Sequence, residues 1–344
     1  MPITSDITLN VSNFSLDSVA DDTKKTNAFI EGITIKGPRW HEIGAPKYRQ
    51  MRETGETPLP LPVYLPEAKD SAVPSRDTGR SVPIRVYTPD NGKPSKGIFL
   101  HIHGGGFVLA THRHQDRTLQ RYANECQLTA ISVGYRLAPE DPWPAAIHDC
   151  FDAAEYLVDH GVADYGARLL FVSGESAGAC LSALTAFHLL RARPNHRLAG
   201  LIFPFGQFDL TLNLPKASLF ERPLIINREE LQKFGDAYTP GMSIEGRRNP
   251  LISPLYDDME TLARVAPENS LPPALFLCGT EDPLLDDTLL MSLKWMISGS
   301  EAVVKIYPGV PHAFTVFPGF KPGEEAIAVA LQFAKEKLDA RTVL

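Results

Sequence analysis

This chain of 344 residues has little positive charge to spare, no long apolar run and few cysteines. Acidic residues outnumber basic ones by 41 to 34, for a formal net charge of -7 at pH 7. A nucleic-acid partner is therefore not expected, because phosphate backbones are met by clustered Lys and Arg. No apolar segment reaches the roughly 18 residues of a spanning helix. The opening "MPITSDITLNVSNFSLDSVADD" lacks the basic start and apolar stretch of a secretory leader. The expectation is a cytoplasmic protein without a membrane span. Cysteines number only four, Cys126, Cys150, Cys180 and Cys278, widely spaced and set in apolar patterns. They read as buried free thiols in a reducing compartment, not as a disulfide framework. No internal repeat or low-complexity tract is visible.

What is present is ordinary globular composition, 43% hydrophobic and 22% charged, at a length that suits one α/β body with a lid. Residues 1 to about 80 look irregular and partly helical, and end in the proline-spaced connector "TPLPLPVYLPEAKD". From Ser81 onward the texture changes. "VPIRVYT", "GIFLHIH", "LTAISVGY", "RLLFVSG", "LAGLIFPF", "PALFLCG" and "AVVKIYPG" read as strands. Several are continuously apolar, as strands buried on both faces are, and helical patterns lie between them. One such helix carries Ile147, Cys150, Phe151, Ala154 and Val158 as a single core-facing stripe. The expectation is an N-terminal cap segment and linker over residues 1–80, followed by a catalytic α/β domain over 81–344. The polar and Pro-containing stretch at about 206–255 is too long for an ordinary connection and reads as a cap insertion.

The chemistry-bearing motif is "LLFVSGESAGACLSAL", where strand turns to helix through Gly174-Glu175-Ser176-Ala177-Gly178. A serine hydroxyl is a poor nucleophile at neutral pH and needs exposure, a base and donors for the developing oxyanion. G-x-S-x-G supplies exposure: the glycines permit a turn so tight that the serine is pushed out at the strand's carboxyl end. The adjoining helix N-terminus favours negative charge there. Upstream, "LHIHGGGFVLA" ends a strand in three glycines, whose backbone N–H groups can approach a ligand closely. Gly105, Gly106 and Ala177 are the expected oxyanion donors, with Gly104 serving the bend.

In this chain order a base and an acid should follow on later strand ends. His312 in "PGVPHAF" follows the strand "AVVKIY" and is the expected general base. Four carboxylates compete for the acid's place: Glu281, Asp282, Asp286 and Asp287. Asp282, close to the end of "PALFLCG" and with the Pro283 turn directly following, is the expected acid. Asp286 and Asp287 read instead as the cap and first turn of the next helix.

These motifs, with "YRLAPEDPWPAAIHD", "NPLISPLYDDM", "DPLLDD" and "PHAF" in that order, resemble the hormone-sensitive-lipase-like branch of the α/β-hydrolase fold, a group of carboxylesterases. The resemblance covers roughly 260 residues. It implies a mainly parallel sheet flanked by helices, with a helical cap made of residues 1 to about 70 and the insert after "LIFPFG". It also implies Ser176, Asp282 and His312 as the triad and Gly105, Gly106 and Ala177 as the oxyanion hole. Phe107, Phe205, Phe208 and Phe314 are the wall residues it suggests for substrate. Where members commonly carry aspartate or threonine before the serine, this chain has Glu175.

The histidines of "HIH" and "HRH" could suggest a metal, but further ligands at matching spacing are wanting, so no metal and no cofactor are expected. The expected activity is hydrolysis of small to medium carboxylic esters through an acyl-enzyme, the partner being a small-molecule ester. An amidase, formamidase or lactonase on the same triad, and a non-catalytic small-molecule receptor of this fold, are the alternatives. A homo-oligomer is left open.

Overall fold

The structure, a computed structural model, describes residues 5–342. The outermost positions of the two expected segments, 1–4 and 343–344, lie outside the described residues. Two short 3-10 turns open the chain, followed by α1 (Asp21–Lys36), α2 (Trp40–Ile43) and α3 (Ala45–Thr54). Then come β1 (Lys69–Pro74), β2 (Ser81–Tyr87), β3 (Ile98–Ile102), α4 (Asp116–Cys126), β4 (Thr129–Val133), α5 (Ala145–Tyr165), β5 (Leu169–Gly174) and α6 (Ala177–Ala192). β6 (Gly200–Pro204) leads into a helical stretch of α7 (Pro215–Leu219), α8 (Arg228–Tyr238), α9 (Ile244–Arg247) and α10 (Met259–Val265). β7 (Ala274–Glu281), α11 (Leu285–Ile297), β8 (Ala302–Pro311) and α12 (Lys321–Thr342) complete it.

The eight strands form one sheet in the order β1-β2-β4-β3-β5-β6-β7-β8. The β1/β2 and β2/β4 pairs are antiparallel, and every pair from β4 to β8 is parallel. Successive side chains leave a strand on opposite faces, and the sheet uses both. Leu100 and Val172 join the core under α5 and α6, while Phe99 and Phe171 join the one under α4 and α12. Strands covered in this way have no polar face to show, hence the mainly apolar, fully buried runs of β3, β4 and β5.

β1 is the strand that hydropathy does not reveal. Of its six residues only Val73 is buried, as suits an edge strand paired on one side. It lies inside the segment expected to be cap and linker. All four cysteines are free and buried. No helix among the described residues is long and apolar enough to cross a membrane.

In the parallel part of the sheet the strand ends that carry motif residues share one rim. β3 delivers His103 to Gly106, β5 delivers Ser176, β7 delivers Asp282 and β8 delivers His312. Above that rim, α2 and α8 meet: the Trp40 indole stacks on Phe234 at 5.0 Å and donates to Glu230 at 2.9 Å. Arg39 pairs with Glu229 at 2.7 Å in the same contact.

Candidate active site

The turn between β5 and α6 holds Ser176 at φ 57°, ψ -122°, a backbone state that side-chain-bearing residues rarely adopt. The flanking glycines explain how the chain reaches it. A Cβ on Gly174 would stand 2.2 Å from the Ile102 carbonyl oxygen, and one on Gly178 would stand 2.0 Å from the same atom. Only glycine lets β3 and the start of α6 come this close. The serine N–H donates to the Pro204 carbonyl at 3.1 Å, tying the turn to the end of β6.

Three side chains separated in sequence meet here. The Ser176 hydroxyl lies 2.9 Å from His312 Nε2, and His312 Nδ1 lies 2.8 Å from Asp282 Oδ2. For the hydroxyl to donate to Nε2, the ring proton must sit on Nδ1 and point at the carboxylate. The other oxygen of Asp282 accepts the Leu284 N–H at 2.8 Å, which fixes the carboxylate plane. Asp282 is fully buried and His312 nearly so, with the Phe205 ring edge-on to the imidazole at 4.9 Å.

The competing carboxylates are occupied elsewhere. Glu281 pairs with Arg222, and Asp286 accepts the Lys216 N–H at 2.8 Å. Asp287 accepts the N–H groups of Phe208 and Asp209 at 2.6 and 2.8 Å, anchoring the chain where it leaves β6. Burial, with Asp209 and Asp282 nearby, pushes its carboxyl well above the usual carboxylate range.

Across from the serine, Gly105 and Gly106 lie at φ 104° and 62°. A Cβ on Gly105 would meet the Leu109 carbonyl oxygen at 2.3 Å, and one on Gly106 the Phe234 ring at 2.3 Å. Among the described residues, no hydrogen bond occupies the backbone N–H groups of Gly105, Gly106 or Ala177. Gly104 is held instead, its N–H donating to Glu175 Oε1 at 2.9 Å. Glu175 also takes His101 Nε2 at 2.8 Å and Gln115 Nε2 at 3.2 Å. Burial opposes its ionisation, yet His101 and the Gly104 N–H together hold its carboxyl below the usual range.

The histidines beside the glycine loop are bound within the fold. His101 also contacts the Ser132 hydroxyl at 2.9 Å. His103 stacks on Tyr135 at 4.2 Å, and burial pushes its pKa down to about 3, so it stays neutral. His114 meets Glu53 at 2.7 Å.

A chamber of about 480 Å³ opens over Ser176 and His312, with Trp40, Tyr48, Leu109, Ile225, Phe234 and Phe317 among its walls. Of the four phenylalanines expected as wall residues, Phe205 lines it. Phe107, Phe208 and Phe314 do not. Phe107 is stacked on Tyr238 at 4.0 Å, Phe208 packs edge-on to Phe203 and Phe276, and Phe314 lies behind Phe205 against Tyr307. α2, α3 and α8 contribute Trp40, Tyr48 and Phe234 to the walls, and no local motif marks those residues.

A sheet of this order, a serine on a strained strand-to-helix turn and a histidine–carboxylate pair from the last two strands define an α/β hydrolase. The profile of the family described as alpha/beta hydrolase fold matches residues 99–316, and the chain belongs to that family, on its hormone-sensitive-lipase-like branch. It is 30% identical to an ethyl acetate hydrolase of Pseudomonas putida over 71% of this chain and 74% of that one. It is likewise 30% identical to an arylesterase of Saccharolobus solfataricus over 73% of this chain and 78% of the relative. Among solved structures it resembles a hyperthermophilic esterase from Pyrobaculum calidifontis, at TM-score 0.77 and 27% identity, covering 91% of this chain and 97% of the other.

Proposed function

We propose that the protein is a serine carboxylesterase for small to medium esters, working through an acyl-enzyme. The observation that carries this is the continuous line Asp282–His312–Ser176, with contacts of 2.8 and 2.9 Å. His312 Nε2 takes the hydroxyl proton as Ser176 Oγ attacks the ester carbonyl, and Asp282 stabilises the imidazolium that forms without itself accepting the proton. The free N–H groups of Gly105, Gly106 and Ala177 receive the negative charge that grows on the carbonyl oxygen. Collapse of the tetrahedral adduct breaks the bond to the leaving alcohol, which departs with the proton held by His312. A water, deprotonated by the same ring, attacks the acyl-serine; the carboxylic acid leaves and the proton returns to Ser176.

The chamber volume supports the size class, since pockets of roughly 300–1,000 Å³ enclose drug-sized molecules. The N-terminal helices and the 206–255 segment act as the cap that excludes water, a role favoured by the Trp40–Phe234 stack that joins them. The four buried free thiols support a cytoplasmic location. Matched 4-nitrophenyl acetate and 4-nitroacetanilide test the activity. The ester should turn over and the anilide lag by orders of magnitude, whereas an enzyme preferring the anilide would be an amidase.

A further inference from the structure

Among the described residues, the chamber above Ser176 has one half-buried cation without a hydrogen-bond or ion-pair partner. Five arginines line the chamber: Arg39, Arg49, Arg52, Arg117 and Arg121. Arg39 is paired with Glu229 at 2.7 Å. Arg49 is taken by Glu140 at 2.9 Å and by the carbonyls of Val108 and Ala138. Arg121 is held by Glu125 and Glu324 at 2.9 and 3.3 Å, and Arg117 is exposed to solvent.

Arg52, on α3, is different. It is half-buried, and no hydrogen bond or ion pair joins it to any described residue. Its Nη1 is shielded from solvent and has no acceptor. The neighbouring carboxylate of Glu53 is already committed to the Tyr64 hydroxyl and the His114 ring. Burial lowers the pKa of Arg52 from its ordinary value, but a guanidinium keeps its proton in a protein; Glu53 offsets that charge through space, yet no acceptor takes the Nη1 donor. One helical turn earlier stands Tyr48, which lines the same chamber. Its hydroxyl makes no hydrogen bond to a described residue, and burial pushes its pKa up to about 12, so it remains an O–H donor.

A guanidinium fork and a phenol four residues apart on one helix face are donors of the kind that a planar carboxylate accepts. We propose that the esters this enzyme prefers carry a free carboxylate, which Arg52 and Tyr48 bind while Ser176 attacks the ester carbonyl in the same chamber. Among anions a carboxylate fits better than a phosphate. Glu53, Glu229 and Glu230 also line the cavity, and one half-buried unpaired guanidinium compensates one negative charge better than two.

The inference rests on the esterase reading, and the experiment separates the two. Values of kcat/KM are compared for 4-nitrophenyl hemiglutarate against 4-nitrophenyl pentanoate, and for 4-acetoxybenzoate against 4-methylphenyl acetate. These pairs place the carboxylate on the acyl and alcohol sides in turn. Arg52→Gln should lower the charged-to-neutral ratio about tenfold or more in at least one pair, the scale of one charge-assisted hydrogen bond. Tyr48→Phe should lower the same ratio by a smaller factor. A ratio within twofold of wild type in both pairs, with either variant folded, overturns the proposal.

Calorimetric titration with glutarate reads the site without catalysis: binding to wild type that Arg52→Gln abolishes supports it, and equal or absent binding in both refutes it. Inorganic phosphate binding more tightly than glutarate would refute the carboxylate assignment. If wild type hydrolyses no ester of either kind, the esterase reading fails and the titration alone decides the anion site.

Discussion

Glu175 precedes the nucleophile, and its carboxylate spans the two halves of the proposed oxyanion hole. Its oxygens take the Gly104 N–H at 2.9 Å, His101 Nε2 at 2.8 Å and Gln115 Nε2 at 3.2 Å, with the side chain only 15% exposed. Glu175→Ala removes the acceptor and leaves the Gly104 N–H and the His101 ring nitrogen buried and unpaired. At about 1–3 kcal/mol for each such group, the expected loss of folding stability is about 2–6 kcal/mol. The rate should suffer separately. Gly104 immediately precedes Gly105 and Gly106, so releasing it lets the two donors drift from the oxyanion, and a lost donor costs about 3 kcal/mol, on the order of a hundredfold in kcat.

Glu175→Gln keeps the shape and one acceptor oxygen and should lose less of both. Saturation kinetics on 4-nitrophenyl acetate, with urea melts of the three proteins, give the numbers. Because the folded-state pKa of Glu175 is depressed, its contribution to stability is present at neutral pH. That contribution is lost only as the pH falls from the ordinary carboxylate value of about 4.3 through the lower folded value. An alanine variant whose kcat stays within threefold of wild type, or whose loss lies in KM alone, would refute the positioning argument.

Other expectations concern the scaffold. Asp116 is fully buried and receives Arg85 Nη2 at 2.6 Å, the Tyr87 hydroxyl at 2.6 Å and the Leu65 N–H at 2.7 Å. Asp116→Ala leaves the buried Arg85 with the exposed Asp70 as its one paired carboxylate and the Leu65 carbonyl as a neutral acceptor, and should cost about 3–5 kcal/mol in a urea melt. A loss below 1 kcal/mol would show that the site rehydrates. Gly178→Ala forces a Cβ to within 2.0 Å of the Ile102 oxygen and 2.6 Å of the His103 oxygen. No rotamer relieves that contact, so both stability, by roughly 1–3 kcal/mol or more, and kcat should fall. Wild-type melting and turnover would contradict the close approach.

The parts legible in the sequence are those fixed by short-range constraint. β3, β4 and β5 are buried along their whole length and so read as mainly apolar runs with no polar face. The elbow is legible because two glycines four residues apart are what the contact with β3 demands. Asp282 and His312 follow because each sits directly after a strand. β1 escapes because five of its six residues face solvent.

The chamber wall escapes for a different reason. Trp40 and Glu230 are 190 residues apart in sequence, and nothing local to either announces that they meet. The family resemblance suggests Phe107, Phe208 and Phe314 as wall residues, but they do not line the chamber. A large apolar ring beside a motif is more readily stabilised by packing inward, as the Phe107–Tyr238 stack illustrates. The charge of Glu175 was visible, but its hold on Gly104 depends on how β3 and β5 lie side by side.

The most direct test is covalent trapping. An alkyl fluorophosphonate reacts with a serine whose hydroxyl is activated by an adjacent base. Incubation followed by intact-mass measurement and peptide mapping should find one adduct per chain, on Ser176, forming in step with the loss of esterase activity and far more slowly in His312→Ala. An adduct at another residue, or full ester hydrolysis with Ser176 blocked, would contradict the triad.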